Sequence, residues 1–259
     1  MSFDLDAYLA RIGVSRTDVA RPDLEALDRL VWAHLTHVPF ENLEILLGRP
    51  IPIDLDSVFA QLVTRRRGGY CYQHNTLFAA ALEAVGFTVI PLGARVGMTR
   101  ETARMTHMML EVRIGERAYL ADVGFGGNCP TRAVPLELGE LASPTGTLRM
   151  RDDGDGYLAL DLEGYDTLYW FTRQRQYAVD YEVGNYYTST RPGSYFVTAP
   201  RVAIIIPTGY RGYSDGELTV RERGVVTSKT RVEARELVPM LAEQFGLELP
   251  AGTTFRGVG

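Results

Sequence analysis

The chain has 259 residues, of which 46% are hydrophobic, so it can build a sizeable core as one large domain or two to three small ones. Its formal net charge of -5 argues against a duplex nucleic-acid binder, which carries a basic face toward the phosphates. Because the two cysteines allow at most one bridge and no window approaches the roughly eighteen uninterrupted apolar residues of a membrane span, we expect a soluble, cytoplasmic protein without a membrane segment.

Helical periodicity dominates residues 1 to about 85. Apolar residues recur at helical spacing in four segments, FDLDAYLARIGV, RPDLEALDRLVWAHLTHVPF, DLDSVFAQLVTR and YQHNTLFAAALEAVGF. Gly13 and Gly86 are typical of helix C-terminal stops, and Pro39 limits the second helix. The pattern therefore predicts four helices in this part of the chain.

The sequence pattern is no longer helical from Thr88 to about Ile206. Short runs rich in Val, Ile, Tyr and Thr are cut about every ten residues by Gly, Pro and Asp, which predicts a small barrel or a strongly curved sheet. After Pro207, the segment GELTVRERGVVTSKTRV predicts one or two hairpins and EARELVPMLAEQFGLEL predicts a final helix. No long linker separates these regions, so we expect them to pack closely together.

A cysteine stands at the predicted start of the fourth helix, in the stretch RRRGGYCYQHN. The unpaired N–H groups and partial positive charge of a helix N-terminus stabilise a thiolate, so Cys71 is a candidate nucleophile. We expect Gly68 and Gly69 to allow a tight approach into the helix and to leave room for a substrate over the sulfur. The alternative is a small, buried, structural thiol.

A His-Asp pair would follow from the register of two neighbouring strands. His107 opens the segment HMMLEVRI, and RAYLADVGF follows after Gly115 and Glu116. If that pair forms a two-residue hairpin loop, Asp122 lies diagonal to His107 on the same face, within side-chain reach. A slip of one residue would place the two side chains on opposite faces. A purely structural histidine is the alternative.

Five motifs in chain order together resemble the arylamine N-acetyltransferase family: HVPFEN, RGGYCYQHN, THMML, ADVGFGG and NYYTSTRPGSYF. The resemblance runs over most of the chain. It implies an α+β fold with a papain-like cysteine-protease-type core. In that fold a helical bundle (1–86) carries the nucleophile, a central β-barrel (87–200) carries the His and Asp, and an α/β lid (201–259) follows.

The resemblance also implies a ping-pong reaction. Cys71 would be the nucleophile that accepts the acetyl group of acetyl-CoA, His107 the base and Asp122 the residue that orients it. An arylamine or hydrazine nitrogen would then attack the acyl-cysteine. Backbone N–H groups of Cys71 and of a residue near Thr106 are candidates for the oxyanion hole. We expect no tightly bound cofactor and no metal, because no set of Cys and His has zinc-site spacing.

The motifs suggest supporting roles as well. Glu41 and Arg67 could form a partly buried ion pair under the active-site turn, with two solvated charges as the alternative. Phe125 would border the acceptor pocket, although an aromatic residue there also fits a barrel core. The remaining candidates are Phe40 and Thr106 for substrate binding, and Gly124, Gly126 and Gly127 for the pantetheine or pyrophosphate of CoA.

The chain departs from the family motif at Gln73, where a Glu is usual, and it has a short C-terminus. An alternative on the same scaffold is an amide synthase, which closes a macrolactam from a polyketide chain on the phosphopantetheine of an acyl carrier protein. A cysteine hydrolase or thioesterase would use the same triad. A non-catalytic binding module is a third class.

Overall fold

Helices form the first third of the chain in the computed structural model, which describes residues 3–256. The first helix begins after Asp4, whose carboxylate accepts the Ala7 N–H at 3.0 Å, and it ends at Gly13 with φ of 70°. All four predicted helices are present, and none of the described helices is long and apolar enough to cross a membrane. The helices are α1 (Leu5–Ile12), α2 (Leu24–His37), a short α3 (Leu43–Leu46), α4 (Leu55–Phe59), which continues as a π-helical turn (Ala60–Thr64), and α5 (Cys71–Val85).

An eight-stranded antiparallel sheet follows and curves into a nearly closed barrel, which confirms the predicted fold class. Its interior is apolar, with Leu92, Met109, Leu160 and Phe171 fully buried in one cluster. The strands, in the spatial order β5-β4-β3-β2-β9-β8-β7-β6, are β2 (Thr88–Val96), β3 (Arg104–Ile114), β4 (Arg117–Ala121), β5 (Val134–Pro135), β6 (Gly139–Ser143), β7 (Gly146–Asp152), β8 (Leu158–Leu162) and β9 (Thr167–Arg175).

The prediction of β structure up to about Ile206 is wrong over one segment, which forms helices α6 (Ala178–Thr190) and α7 (Tyr195–Thr198). The Asp180 carboxylate caps α6 by accepting the Tyr177 N–H at 2.8 Å. At Gly184 the helix lies so close to α5 that a Cβ would stand 2.1 Å from the Tyr72 hydroxyl oxygen. Capping and tertiary packing therefore override a local sequence rich in Tyr, Val and Thr.

The last part of the chain forms a second sheet and a helix, as predicted. Its strands are antiparallel and are joined by β1 (Phe40–Glu41) from the helical region, because Phe40 pairs with Ala203. The sheet therefore connects the helical region with the last part of the chain. In spatial order after β1 its strands are β10 (Arg201–Ile206), β11 (Gly209–Ser214), β12 (Glu217–Glu222) and β13 (Val225–Arg231), and the terminal helix is α8 (Leu237–Phe245).

Strand β3 lies between the helical core and the barrel interior. Met108, Leu110 and Val112 belong to the cluster that the helices form, whereas Met109 belongs to the barrel cluster. This alternation is the one expected for a strand with both faces buried. His107, which lies in the buried part of β3, is therefore enclosed by protein.

Candidate active site

Cys71 is the first residue of α5, and it is buried. At this position its N–H has no partner inside the helix, and the helix dipole favours a negative sulfur. The Sγ atom lies 3.7 Å from the carbonyl oxygen of Thr106 on β3. The sequence therefore places a cysteine at the helix N-terminus, and the fold places that cysteine against the barrel.

The expectation that Gly68 and Gly69 leave room for a substrate is wrong. A Cβ at Gly68 would lie 2.0 Å from the carbonyl oxygen of Pro39, and one at Gly69 would lie 2.5 Å from the side-chain oxygen of Gln73. The space over each glycine is thus filled by protein atoms. These two residues allow the turn before α5 to pack against the end of α2 and against α5 itself.

The β3–β4 hairpin has the register that the sequence predicts. Ile114 pairs with Arg117 across a two-residue loop in which Gly115 has φ of 60°. The ladder continues to the end of β4, so Asp122 follows directly and faces His107. The His107 Nε2 atom lies 2.7 Å from Asp122 Oδ2, with both side chains buried.

The second oxygen of Asp122 is held by two further donors. Oδ1 accepts the side-chain amide of Asn75 at 3.1 Å and the backbone N–H of Gly124 at 2.9 Å. Asn75 has no role in the prediction from sequence, although it lies four residues after Cys71 and hence on the same face of α5. Its amide nitrogen also donates to the carbonyl of Met108 at 2.7 Å, so Asn75 ties α5 to Asp122 and to the strand residue that follows His107.

The charges of the site are set by this pairing. Burial lowers the pKa of His107, but the Asp122 carboxylate outweighs that effect, and together with the sulfur of Cys71 it raises the pKa to about 10. Burial raises the pKa of Asp122, whereas His107 opposes it, and the net result is a pKa below the usual value. The imidazole is therefore protonated at neutral pH, and its Nδ1 is the ring nitrogen left to face the sulfur.

A buried ion pair supports the turn before the cysteine. Arg67 contacts the carboxylates of Glu41 and Glu44, each at 3.0 Å. Next to it, the Gln73 amide donates to the side-chain oxygen of Gln61 at 3.1 Å, and Gln61 donates to the carbonyl of Gly68 at 2.7 Å. With Gln at position 73, the contact with Gln61 is a donor-acceptor pair between two neutral amides.

The site opens into a cavity of about 620 Å³. Cys71 and His107 lie on its wall, whereas Asp122 lies behind them. Every residue predicted for substrate or cofactor binding also lines the cavity, and these are Phe40, Thr106, Gly124, Phe125, Gly126 and Gly127.

Phe125 has contacts in both environments that the sequence allows for it, the pocket and the barrel core. Its ring centroid lies 5.0 Å from that of His107, edge to face, and 5.1 Å from that of the buried Tyr169. The following glycines pack closely, since a Cβ at Gly124 would lie 2.6 Å from Cys71 Cα and one at Gly127 would lie 2.6 Å from the Tyr210 ring. The turn can therefore carry no side chain toward α5 or β11, and its backbone borders the cavity.

Comparison with known proteins gives one consistent result. A model of an N-acetyltransferase family matches residues 23–254. The chain is 38% identical over 259 residues to the arylamine N-acetyltransferase of Mycolicibacterium smegmatis, covering 96% of this chain and 94% of the relative. It is 32% identical over 251 residues to the arylamine N-acetyltransferase of Escherichia coli, covering 94% and 88%.

Solved structures agree with the sequence relatives. The M. smegmatis arylamine N-acetyltransferase superposes with a TM-score of 0.89 at 35% identity, covering 98% of this chain and 96% of that one. The Mycobacterium marinum arylamine N-acetyltransferase in complex with CoA superposes with a TM-score of 0.87 at 35% identity, covering 94% and 92%.

Proposed function

Because this chain belongs to the arylamine N-acetyltransferase family, we propose that Cys71, His107 and Asp122 form the triad with which it transfers acetyl groups from acetyl-CoA to arylamine nitrogens. The observation that carries the proposal is the hydrogen bond of 2.7 Å between His107 and Asp122. It lies beside a cysteine at a helix N-terminus, on the wall of a cavity. A nucleophile, a base and an orienting carboxylate are the parts that acyl transfer requires.

In the first half-reaction the Cys71 sulfur acts as a thiolate beside a protonated His107. The thiolate attacks the thioester carbonyl, and the N–H of Cys71 together with a backbone N–H near Thr106 stabilises the oxyanion. The bond from the carbonyl carbon to the sulfur of CoA then breaks. The CoA sulfur leaves with the proton of His107, and the acetyl group remains on Cys71.

In the second half-reaction the amine nitrogen attacks the acyl-cysteine, and neutral His107 takes its proton. The Cys71 thiolate leaves as the amide forms, which returns the site to its starting state. Phe40 and Phe125 supply apolar walls for the aryl ring, whereas the backbone of Gly124, Gly126 and Gly127 borders the path of the pantetheine.

Burial favours transfer over hydrolysis. Cys71 and His107 are each 4% exposed and Asp122 is fully buried, so water has little access to the acyl-enzyme except through the cavity. An aryl ring in the cavity displaces that water at the moment its nitrogen reaches the acetyl group. The chain therefore needs an amine to complete the reaction efficiently.

The test is release of CoA from acetyl-CoA, followed by chromatography, with and without an arylamine such as aniline. The proposal predicts release that continues only when the amine is present and that Cys71→Ser abolishes. Continued release without amine would contradict transfer and indicate a thioesterase. No release in either case would contradict free acetyl-CoA as the donor and favour a carrier-bound acyl chain.

A further inference from the structure

Three arginines line the active-site cavity, and one of them has a partner for each of its three guanidinium nitrogens. The Arg201 guanidinium donates to both carboxylate oxygens of Asp215, at 3.0 and 3.2 Å, and to the carbonyl of Tyr195 at 3.2 Å. Arg201 is thus a structural residue of the cavity wall. The other two, Arg104 and Arg191, are exposed at its rim.

Arg104 and Arg191 contact the same aromatic ring. Their Cζ atoms lie 5.7 and 5.2 Å from the centroid of Tyr187, which also lines the cavity. Neither guanidinium has an ion-pair or hydrogen-bond partner among residues 3–256. A cation-π contact leaves the N–H groups of a guanidinium free to donate. Two positive groups with unused donors therefore stand at the opening of the catalytic cavity.

The backbone holds Arg191 in place. Its N–H donates to the carbonyl of Tyr187 at 3.2 Å, and its carbonyl accepts the Ser194 N–H at 2.9 Å. Pro192 and Gly193, with φ of 77° at Gly193, are the central residues of that turn, as a type II turn requires. The Ser194 hydroxyl in turn donates to the carbonyl of Thr188 at 2.6 Å. The guanidinium thus projects from a fixed turn.

Arg104 is positioned by the sheet. It is the first residue of β3 and pairs with Val96. Two residues further along the strand, Thr106 presents its carbonyl to the Cys71 sulfur, so the same strand connects the rim with the nucleophile. An anion bound by Arg104 would belong to a molecule whose reacting group lies within reach of Cys71.

We propose that Arg104 and Arg191, both in contact with Tyr187, form a site for an anionic oxygen group of a substrate. The chain has a net charge of -5, so this local positive rim attracts anions against the overall charge of the molecule. Guanidinium groups bind carboxylates and phosphates through charge-assisted hydrogen bonds. The group is either a phosphate of CoA or a carboxylate on the arylamine, and the inference rests on the proposed acetyl transfer.

The test compares wild type with the double variant Arg104→Gln/Arg191→Gln in two arms. The donor arm uses acetyl-CoA and S-acetylpantetheine, which lacks the phosphates. The acceptor arm uses 4-aminobenzoate and its uncharged analogue 4-aminobenzamide. Arg149→Gln, on the β6–β7 hairpin and outside the cavity lining, is the control for loss of an exposed arginine.

We expect KM to rise about tenfold in the double variant for the anionic member of one arm, with kcat and the KM of the uncharged member unchanged. A rise for acetyl-CoA alone identifies a phosphate, and a rise for 4-aminobenzoate alone identifies a carboxylate. KM values that stay within about twofold of wild type for all four compounds, or that rise equally for charged and uncharged members, would overturn the proposal. If wild type transfers acetyl groups to none of the three amines, aniline included, the proposed function itself has failed.

Discussion

Two regions of the molecule bury histidine side chains, and their electrostatics are opposite. Beside the barrel, His107 donates to Asp122 and has its pKa raised to about 10. In the helical region, His34 and His74 hydrogen-bond to each other at 2.8 Å. Burial lowers the pKa of His74 to about 4 and that of His34 well below its usual value. The same side chain is therefore a cation in one region and neutral in the other.

The neutral pair belongs to a fully satisfied chain of hydrogen bonds. His74 Nε2 donates to the carbonyl of Pro39 at 3.2 Å, so its Nδ1 accepts from His34 Nε2. His34 Nδ1 then accepts the Tyr8 hydroxyl at 2.9 Å. Each ring uses one donor and one acceptor, which is the capacity of a neutral imidazole. The comparison teaches that burial, as the largest cause, keeps histidine neutral in the helical region, and that a hydrogen-bonded carboxylate makes the buried His107 a cation.

The largest expected effect comes from removing that carboxylate. In Asp122→Asn the environment of His107 becomes like that of His74, so burial governs its charge, and the carboxylate that holds the proton on Nε2 is gone. We expect kcat/KM for acetyl transfer to fall by about 10³- to 10⁴-fold. Asp155→Asn, in an exposed loop, is the control and should keep wild-type activity. A loss of kcat/KM smaller than about tenfold in Asp122→Asn would contradict the claim that this carboxylate distinguishes His107 from the neutral histidines.

A second, smaller effect is acid sensitivity of the helical region. The folded pKa of His74 is about 4 and the unfolded value is 6.5, so the unfolded chain binds the proton first as pH falls. The free energy of unfolding should therefore decrease between pH 6.5 and 4, by about 2 to 3 kcal/mol for this residue. Denaturant unfolding at several pH values measures it. The variant His74→Gln should be less stable than wild type at pH 7, but its free energy of unfolding should fall less on acidification. A pH dependence equal to that of wild type would contradict the assignment.

The smallest expected effect comes from mutating Tyr169, which lies against the pair of His107 and Asp122. Its ring centroid is 5.2 Å from that of His107, and its hydroxyl has no hydrogen-bond partner among the described residues. Because Tyr169→Phe keeps the ring and removes a hydroxyl that makes no hydrogen bond with the described residues, it should change kcat by no more than about twofold and stability by no more than about 1 kcal/mol. Tyr169→Leu, which removes the ring, should reduce kcat more. A drop of tenfold or more in the Phe variant would give the hydroxyl a direct role with Asp122.

The two regions also differ in how far the sequence predicts them. His107 and Asp122 belong to one hairpin, so the loop at Gly115 and the two-residue period of strands predict their meeting. The pairing of His34 with His74 depends on how α2 packs against α5. That packing joins residues forty positions apart, and local patterns do not encode it.

Packing also explains the two errors in the predictions. Helix α6 forms where the sequence favours strands, because its Asp180 cap and the contact of Gly184 with Tyr72 stabilise the helix. Gly68 and Gly69 lie in the tight turn that the sequence predicts, but their missing side chains accommodate Pro39 and Gln73 and not a substrate. In both cases a tertiary neighbour, absent from the local sequence, decides the outcome.

The central claim is that Cys71 carries the acetyl group, and the intact mass of the protein after mixing with acetyl-CoA tests it most directly. The account predicts that wild type gains the mass of one acetyl group, that an arylamine removes it, and that Cys71→Ala gains nothing. Cys129→Ala, which removes the other cysteine, should still be acetylated. Acetylation that persists in Cys71→Ala, or its absence from wild type, would contradict the account.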